Sequence, residues 1–382
     1  MHVAFALLTL FPGRVGGAES NVRGLLGQFA DGNGPERMTV LANRHVAEAY
    51  GDYARNRVEL HRVRSYHCGD SDSTRLLAMG AAALAPRLVA RDVPNGLDVL
   101  HHPVTVPIPR LAGVPTVTTV FDLQHHELPW FFSRAERAYR GWAYDRAARR
   151  ADLVSTISEY SRQRLIEIVG IAPERVVSIH LGIDHDRFDP TATDADALLR
   201  ERRDLPDRFV VYPANLWPHK NHARLIEALA SAPQDVHLLL SGQDYGKLGE
   251  VEQQARAAGV SDRVHHLGYL GQDEVPALYR AATAMVFPSL YEGFGAPPVE
   301  AMACGCPVAS SDRGSLAEVV NGAALVFDPE SPEAIGDAIA RIVDDRQLRE
   351  RLCAAGLVNA ARFTWAATAR RHVDLYERAA AL

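Results

Sequence analysis

The sequence predicts an α/β protein with two Rossmann-like domains, each built on a parallel β-sheet that helices cover on both faces. The chain has 382 residues, more than a single hydrophobic core ordinarily serves. Short β-branched and apolar runs alternate with longer stretches of helical period, which is typical of parallel sheets. The alternation occurs in two blocks, and Asp, Pro and Thr interrupt it between Asp184 and Asp207.

Each block contains six predicted strands. Those of the first block lie at 3–10, 39–42, 99–102, 116–121, 153–157 and 176–180, and those of the second at 209–214, 237–241, 264–267, 284–288, 308–310 and 324–327. The clearest helical patterns cover 223–230, 274–281, 332–344 and 346–359. Ligands of open parallel sheets bind beyond the carboxyl ends of the strands, so the strand-to-helix loops are the places to search for a site.

Composition excludes several classes of protein. The formal charge is −6, from 41 basic and 47 acidic residues, which argues against nucleic acid as the main partner. The four cysteines are unevenly spaced, as expected of a reduced, cytoplasmic protein. The first residues lack the basic region of a signal peptide, and no apolar run approaches the ~20 residues that span a bilayer.

The first loop of interest, FPGRVGGAES, follows the first predicted strand and precedes a helix. Its glycines, Gly13, Gly16 and Gly17, would allow backbone N–H groups to approach an anion at the helix start. Their spacing is not the G-x-G-x-x-G of dinucleotide enzymes. A tight turn with close helix–sheet packing explains the same glycines without a ligand.

The second loop, ANLWPHKNHARL, follows the first strand of the second block. It places Lys220 just before a helix that Asn221 is expected to cap. An ammonium group at this position suits a diphosphate, which it would bind as a point charge. A lone lysine on a loop is more commonly a solvated surface residue, so the assignment depends on the third loop.

The third loop, LYEGFGAPPVEAMACG, follows the predicted strand at 284–288. Pro298 disfavours helical backbone at Pro297, which predicts Pro297 as the N-cap and Pro298 as the first helical residue. Because prolines have no N–H, an anion at this helix start would be bound by the amides of Gly293, Phe294, Gly295 and Ala296.

Two carboxylates flank this glycine turn, Glu292 before it and Glu300 after it. Taken alone, Glu292 would be an exposed loop acid, and Glu300, in the predicted first helical turn, would interact favourably with the helix dipole. Together with Lys220 on another strand-end loop, they indicate a binding site instead.

The segment EGFGAPPVEAMACGCPV resembles the E-x7-E signature of the retaining glycosyltransferases of family 4, with Glu292 and Glu300 as its two glutamates. Three further segments resemble that family: VSTISEYSRQRL at 154–165, HLGIDHDRF at 180–188, and DLQHHELPWFFS at 122–133. The last is similar to the D-x-x-H loop common in mannosyltransferases of the family.

The resemblance implies the GT-B fold, in which two Rossmann-like domains face a deep cleft. It implies an acceptor-binding N-terminal domain at 1–188, which the C-terminal helix at 365–382 rejoins, and a domain at 189–364 that binds the nucleotide sugar. No metal and no other cofactor are implied, because a cationic side chain and helix amides replace the metal.

The resemblance also implies roles for single residues. Lys220 would bind the leaving diphosphate, Glu292 would hydrogen-bond the donor sugar, and Glu300 would accept hydrogen bonds from the ribose hydroxyls. Further donor contacts are implied for Gly16, Gly17, Asn215, Leu270, Gly293, Phe294 and Gly295.

On the acceptor side, the resemblance implies roles for Asp122 and His125. The chain departs from the family at three places: Leu181 stands for the Asn of N-G-I-D as a local turn variation, and the other two departures bear on the site. Asn215 stands where the family often has an arginine, which leaves the diphosphate one cation fewer. Phe121 stands where the family has a histidine, so that His125 or His126 is expected to serve instead.

The predicted function is the transfer of a hexose-type sugar (mannose, glucose or N-acetylglucosamine) from a GDP- or UDP-linked donor to an acceptor hydroxyl, with retention. The acceptor would be a surface polysaccharide, a lipid-linked sugar or a small molecule. A nucleotide-sugar epimerase on the same fold is the alternative. A nicotinamide-dependent oxidoreductase and a non-catalytic binder are disfavoured, the first by the missing G-x-G-x-x-G and the second by the intact set of Lys220, Glu292 and Glu300.

The predicted mechanism is a front-face substitution in which the leaving phosphate accepts the proton of the acceptor. No pair of carboxylates is evident for the double displacement that retaining hydrolases use. Glu292 as a covalent nucleophile is the alternative.

Two other features have structural explanations. The histidine pairs, including His125–His126, are not expected to bind a metal, because adjacent side chains point in different directions. The segment at 133–152 opens with the capping-box pattern Ser133-x-x-Glu136 and is rich in arginine. Its arginines would suit a weak contact with an anionic membrane surface, but a solvated helix with Tyr139 and Trp142 packed inward is favoured.

Overall fold

A computed structural model of the chain describes residues 1–13, 16–271 and 273–382. These residues form two compact units, Met1–Gly182 with Trp365–Leu382, and Ile183–Thr364. The predicted domain break, between residues 188 and 189, lies six residues further along the chain. The C-terminal segment is part of the first unit.

The first unit contains a seven-stranded parallel sheet of order β3-β2-β1-β4-β5-β6-β7, and the second a six-stranded parallel sheet of order β10-β9-β8-β11-β12-β13. The strands are β1 His2–Leu7, β2 Arg37–Ala42, β3 Val58–Arg62, β4 Val99–His102, β5 Thr116–Val120, β6 Leu153–Thr156, β7 Val176–Ser178, β8 Phe209–Pro213, β9 His237–Ser241, β10 Val264–His266, β11 Ala284–Phe287, β12 Val308–Ser311 and β13 Leu325–Phe327.

Helices follow most of the strands. They are α1 Gly17–Ala30, α2 Arg44–Ala49, α3 Asp72–Leu84, α4 Pro86–Ala90, α5 Gln124–Glu127, α6 Arg134–Arg140, α7 Arg146–Arg150, α8 Glu159–Arg164, α9 Asp194–Arg203, α10 His222–Leu229, α11 Leu248–Ala257, α12 Glu274–Ala281, α13 Ala296–Ala303, α14 Leu316–Val320, α15 Pro332–Asp344, α16 Arg346–Ala360 and α17 Trp365–Ala380.

All twelve predicted strands are present, and the sequence analysis missed one, β3. It lies at the edge of the first sheet and reads VELHR, in which polar residues interrupt the apolar pattern. An edge strand pairs on one side only and does not need the continuous apolar sequence of a central strand.

Both sheets have the strand order of doubly wound folds. In each sheet the first strand of the unit pairs with the fourth, β1 with β4 and β8 with β11. From the first strand the chain adds strands toward one edge of the sheet, and from the fourth strand it adds them toward the other edge. In each sheet, the carboxyl ends of the two paired strands form a topological switch point, where ligands of such sheets bind. The loops after β8 and β11 contain Lys220 and Glu292, respectively.

Helix α17 completes the core of the first unit. Its Tyr376 hydroxyl lies 2.7 Å from Nδ1 of His101, at the end of β4, and the other ring nitrogen of His101 lies 2.8 Å from the hydroxyl of Thr119. His372 stacks on the same imidazole, with ring centroids 5.6 Å apart. All of these side chains are buried, so the last helix of the chain is held by a polar contact inside an apolar core.

The arginine-rich segment is organised differently from the prediction. The capping box is confirmed, since Glu136 N donates to Ser133 Oγ at 3.2 Å and Ser133 N donates to the Glu136 carboxylate at 2.8 Å. The helix is interrupted, however, by a π-helical turn at Gly141–Asp145, and Trp142 is 51% exposed rather than packed inward. Within the described parts of the chain, no helix is long and apolar enough to cross a bilayer.

The contact of α1 with α17 yields a prediction. A Cβ atom on Gly24 would lie 2.4 Å from Cε2 of the Trp365 indole, whereas one on Gly27 of the same helix would lie 3.9 Å from its nearest neighbour. We expect Gly24→Ala to lower the free energy of unfolding by roughly 1–3 kcal/mol, because a rigid ring must move. Gly27→Ala is the matched control and should be neutral, or stabilising by up to ~1 kcal/mol. Equal stabilities of the two variants in urea unfolding would contradict this packing.

Candidate active site

The loops after β8 and β11 are joined to each other by several hydrogen bonds. Leu290 N donates to the carbonyl oxygen of His219 at 2.8 Å. The buried hydroxyl of Tyr212 donates to the carbonyl oxygen of Lys220 at 2.8 Å and lies 3.0 Å from Oγ of Ser289. The two loops therefore form one structure at the switch point of the second sheet.

Asn221 reinforces this junction in a way that differs from the prediction. It occupies the N-cap position of α10, but with φ 64° its side chain does not cap the helix. Instead, its amide nitrogen donates to the carbonyl oxygens of Pro288, at 3.1 Å, and Pro329, at 2.7 Å. Asparagine tolerates this left-handed backbone better than most residues, which is consistent with its place here.

Lys220 and Glu292 form an ion pair at this junction. Nζ of Lys220 lies 2.5 Å from Oε1 of Glu292, and both side chains are largely buried, 16% and 13% exposed. The ammonium group also lies 5.6 Å from the ring centroid of Phe287, at the end of β11, within range of a cation–π contact. Two of the three charged residues singled out in the sequence are thus in direct contact.

The glycine turn after Glu292 is supported from the loop that follows β12. Ser315 N and Oγ both donate to the carbonyl oxygen of Glu292, at 3.1 and 3.0 Å, and Oγ also lies 2.9 Å from the carbonyl oxygen of Phe294. A Cβ atom on Gly314 would lie 2.6 Å from the Glu292 carbonyl oxygen. Gly314 has φ +64°, so the approach of these two backbones requires glycine there.

The start of α13 corrects the sequence prediction. The helix begins at Ala296, and Gly295, with φ 89°, is its N-cap, so that Pro297 and Pro298 are its second and third residues. The first turn tolerates prolines because its N–H groups have no partner within the helix. Glu300 consequently lies two residues further into the helix than predicted, beyond the first turn.

Glu300 has an environment unlike that of Glu292. Tyr279 of α12 donates to its carboxylate at 3.5 Å, and the positive charge of Arg187 acts on it as well. Desolvation outweighs both effects and raises the pKa of Glu300 to about 7. A carboxyl group with such a pKa is poised to accept hydrogen bonds from a ligand that supplies the missing donors.

Asn215 and Leu270, the other predicted donor contacts of this unit, have structural partners. The side-chain oxygen of Asn215 accepts a hydrogen bond from Gln243 N at 2.8 Å, which ties the loop after β8 to the loop after β9. Leu270 follows β10 and is buried, 4% exposed. At position 215 an amide that joins two loops replaces the cation that the family resemblance would place there.

In the first unit, Gly16 and Gly17 lie at the start of α1. Gly16 is its N-cap, with φ 57° and ψ −128°, and no described atom would lie within 4 Å of a Cβ on either glycine. Backbone at this helix start is therefore open to close approach, as a phosphate site requires. The predicted loop also includes residues 14 and 15, which lie outside the described residues.

Asp122 and His125 follow the carboxyl end of β5. Oδ1 of Asp122 accepts a hydrogen bond from Gln124 N at 3.1 Å and lies 3.9 Å from Nη1 of Arg140. The side chain of His125 is only 2% exposed, whereas that of the adjacent His126 is 31% exposed. Contrary to the expectation that adjacent histidines diverge, both direct Nε2 toward Asp145, at 3.4 and 2.9 Å.

Several residues of these sites were missed by the sequence analysis. Tyr279, Ser315 and Asp145 act from helices or loops distant in sequence from the motifs, and no local pattern marks them. Lys220, which was predicted, is also marked by composition, because lysine occurs at only two positions, 220 and 247, among 41 basic residues. A chain that otherwise uses arginine almost throughout retains an ammonium group at the switch point.

Comparison with known proteins shows the family of the chain. A family model described as Glycosyltransferase Family 4 matches residues 15–187, and one described as Glycosyl transferases group 1 matches residues 199–357. The chain is 30% identical over 308 residues to O-antigen chain mannosyltransferase B of Escherichia coli, which covers 79% of this chain and 80% of that protein. The chain belongs to glycosyltransferase family 4.

Other relatives within this family differ in length. Serotype-specific mannosyltransferase WbdA of Escherichia coli is 31% identical over 237 residues, which are 60% of this chain but only 29% of that protein. MMP alpha-(1->4)-mannosyltransferase of Mycolicibacterium hassiacum is 30% identical over 288 residues, 70% of this chain and 66% of that protein. This family 4 chain thus spans less than a third of one of its mannosyltransferase relatives.

Solved structures share the fold across the whole chain. HepE of Anabaena, in complex with UDP-glucose, matches with a TM-score of 0.76 at 22% identity and covers 100% of both chains. Sucrose-phosphate synthase of Thermosynechococcus elongatus matches with a TM-score of 0.78 at 21% identity, covering 99% of this chain and 98% of that one. The family 4 glycosyltransferase therefore has the GT-B fold that its sequence resemblance implies.

The raised pKa of Glu300 predicts a pH-dependent stability. Because its pKa in the folded protein, about 7, exceeds the ordinary value of 4.5, protonation stabilises the fold fully below pH 4.5, and this contribution is lost as the pH rises through 7. We expect Glu300→Gln to be more stable than the wild type at pH 8 by roughly 1–3 kcal/mol, with the difference vanishing toward pH 4.5.

Urea unfolding of both proteins between pH 4.5 and 8 measures this difference. Glu227→Gln, at an exposed glutamate on α10, is the control and should show no such trend. A stability difference between Glu300→Gln and wild type that does not change with pH would contradict the assignment.

Proposed function

We propose that the protein is a retaining, metal-independent hexosyltransferase that uses a nucleoside-diphosphate sugar. The observation that carries the proposal is the Lys220–Glu292 ion pair, which lies where the loops after β8 and β11 meet at the switch point. One member of the pair suits a diphosphate and the other suits sugar hydroxyls. A donor that joins a diphosphate to a sugar would engage both partners at once.

In the proposed reaction, cleavage of the bond between sugar and phosphate places negative charge on the leaving diphosphate. Lys220 stabilises that charge from a largely buried position, where its electrostatic effect is stronger than in water. The leaving phosphate accepts the proton of the acceptor hydroxyl, and the new bond forms on the face that the phosphate leaves. Glu292 holds the sugar hydroxyls, and Glu300 accepts hydrogen bonds from the ribose.

The relatives favour a mannosyl donor, since O-antigen chain mannosyltransferase B, WbdA and the enzyme of Mycolicibacterium hassiacum are all named as mannosyltransferases. HepE, by contrast, was crystallised with UDP-glucose. We propose GDP-mannose as the first donor to test, with UDP-glucose and UDP-N-acetylglucosamine as the rivals, and a carbohydrate, lipid-linked or small-molecule hydroxyl as the acceptor.

Substitution of the lysine tests the proposal. We expect Lys220→Ala to lower kcat for release of the nucleoside diphosphate by about 10²–10³-fold, because the leaving group loses its counter-charge. Lys220→Arg should also be impaired, since a planar guanidinium does not replace a compact ammonium beside Glu292. The assay combines the three donors with aryl mannosides, glucosides and N-acetylglucosaminides as acceptor probes.

The other lysine of the chain provides the matched control. Lys247 lies on the loop after β9, at the same end of the sheet, and Lys247→Ala should stay within about threefold of wild type, as expected when no transition-state contact is removed. Wild-type turnover by Lys220→Ala, or absence of turnover and of nucleotide binding by the wild type, would refute the proposed function.

The stereochemistry of the product tests the mechanism separately. Front-face substitution on an α-linked donor gives an α-linked product, which ¹H NMR identifies from the coupling constant of the anomeric proton. Glu292→Ala distinguishes the two retaining routes: a covalent route loses its nucleophile, whereas the front-face route loses only a contact that orients the sugar. Trapping of a glycosyl–enzyme adduct on Glu292, or a β-linked product, would overturn the front-face mechanism.

A further inference from the structure

Asp145 lies between two histidines at the carboxyl end of the first sheet. Its Oδ2 is 2.9 Å from Nε2 of His126, a hydrogen-bond distance, and its Oδ1 is 3.4 Å from Nε2 of His125. Burial acts to raise the pKa of this carboxyl, but the two imidazoles outweigh it and the pKa is lowered. The ionised Asp145 therefore accepts a hydrogen bond from His126 and lies beside His125 without a hydrogen bond to it.

Only one of the two histidines is accessible. The His125 side chain is 2% exposed and lies edge-on to Tyr144, with ring centroids 6.1 Å apart. The His126 side chain is 31% exposed and packs against the ring of His125, at 4.2 Å between centroids. A ligand in solvent can hydrogen-bond His126 but not His125.

The contact with Asp145 determines the tautomer of His126. An ionised carboxylate only accepts hydrogen bonds, so Nε2 of a neutral His126 must donate the proton of that bond. Nδ1 is then unprotonated and can only accept. In the part of the chain that the structure describes, the hydrogen bond of the His126 ring is made through Nε2.

The short helix that carries His126 is tied to α8 by hydrogen bonds. His126 lies on α5, which follows β5 directly, and the next residue, Glu127, accepts hydrogen bonds from Tyr160, at 2.9 Å, and from Arg164 of α8. Asp145 ends the π-helical turn that interrupts the following helix. Such turns are frequently found at functional sites, and here the turn directs the carboxylate toward both imidazoles.

We propose that Nδ1 of His126 accepts a hydrogen bond from a hydroxyl of the acceptor, and that Asp145 positions this imidazole and fixes its tautomer. The inference rests on the proposed function and replaces the buried His125 in the predicted acceptor role. No proton is transferred in this contact, because the acceptor hydroxyl keeps its hydrogen while it donates to the neutral form of the ring.

Isosteric substitutions test which ring nitrogen acts. The side-chain oxygen of His126→Asn can occupy the place of Nδ1, whereas that of His126→Gln reaches the place of Nε2. We expect His126→Asn to stay near the wild-type KM for the aryl glycoside acceptor, and His126→Gln and His126→Ala to raise that KM about tenfold or more, as loss of one hydrogen bond does.

Asp145 requires its own variants, because it acts through His126. Asp145→Asn can donate to Nε2 and reverse the tautomer, so it should raise the acceptor KM as His126→Gln does, and Asp145→Glu should restore part of the affinity. His61→Asn is the matched control, since the His61 ring lies 3.8 Å from the carboxylate of Asp92 elsewhere in the unit. Equal acceptor KM values for His126→Asn and His126→Gln would overturn the proposal.

A measurement without substrate separates this inference from the proposed function. In ¹⁵N NMR of the ligand-free protein with labelled histidine, His126 should show a protonated Nε2 and an unprotonated Nδ1, and the opposite tautomer would refute the inference even if the enzyme transfers sugar. Binding of Zn²⁺ that is lost in both His126→Ala and Asp145→Asn would also overturn it, in favour of a metal centre. If no donor is bound or turned over, the proposed function fails and the acceptor role of His126 fails with it. The NMR result would still show whether Asp145 fixes the tautomer of His126.

Discussion

The parallel pairing of β8 with β11 is the constraint on which the candidate donor site depends. These strands are separated in sequence by two complete strand–helix units, yet they are neighbours in the sheet, with Val210 paired to Ala284 and Val211 to Met285. The pairing brings together two loops that no local sequence signal connects. Tyr212 and Asn221 then fix the loops to each other, so that the positions of Lys220 and Glu292 follow from backbone structure rather than from their own attraction.

The ion pair between these residues has a chemical consequence in the absence of ligand. A largely buried ammonium or carboxylate without a partner would be costly, and each neutralises the other. In the proposed donor complex, a diphosphate would replace the Glu292 carboxylate as the partner of Lys220, and Glu292 would then accept hydrogen bonds from sugar hydroxyls. Both Lys220 and Glu292 would thus have a partner with and without the donor, and neither charge would be left unpaired in a largely buried site.

The sequence was sufficient for most of the fold because its central strands are continuous apolar runs between helices of clear period. It did not predict β3, because an edge strand does not need a continuous apolar run. It also did not predict where α13 begins. There, the steric preference of the residue before a proline was outweighed by Gly295, whose left-handed backbone begins the helix two residues earlier.

The candidate sites were predictable only in part, for a related reason. Lys220, Glu292 and Glu300 lie in compact motifs, whereas their supports, Ser315 and Tyr279, come from other segments and meet them only in the folded chain. The choice between His125 and His126 depends on which side chain is buried, and the sequence of two adjacent histidines does not predict this. Asp145 lies nineteen residues beyond His126, in a π-helical turn that no sequence pattern predicted.

The position of α17 affects how the protein is made. The helix is synthesised after the entire second unit, yet its Tyr376 and Trp365 complete the core of the first. On the ribosome, the sheet translated first must therefore wait, with the face that α17 covers still open to solvent, while about half of the chain emerges and folds. The unit that begins to form earliest is the one that finishes last, and during translation it is the one exposed to non-native association.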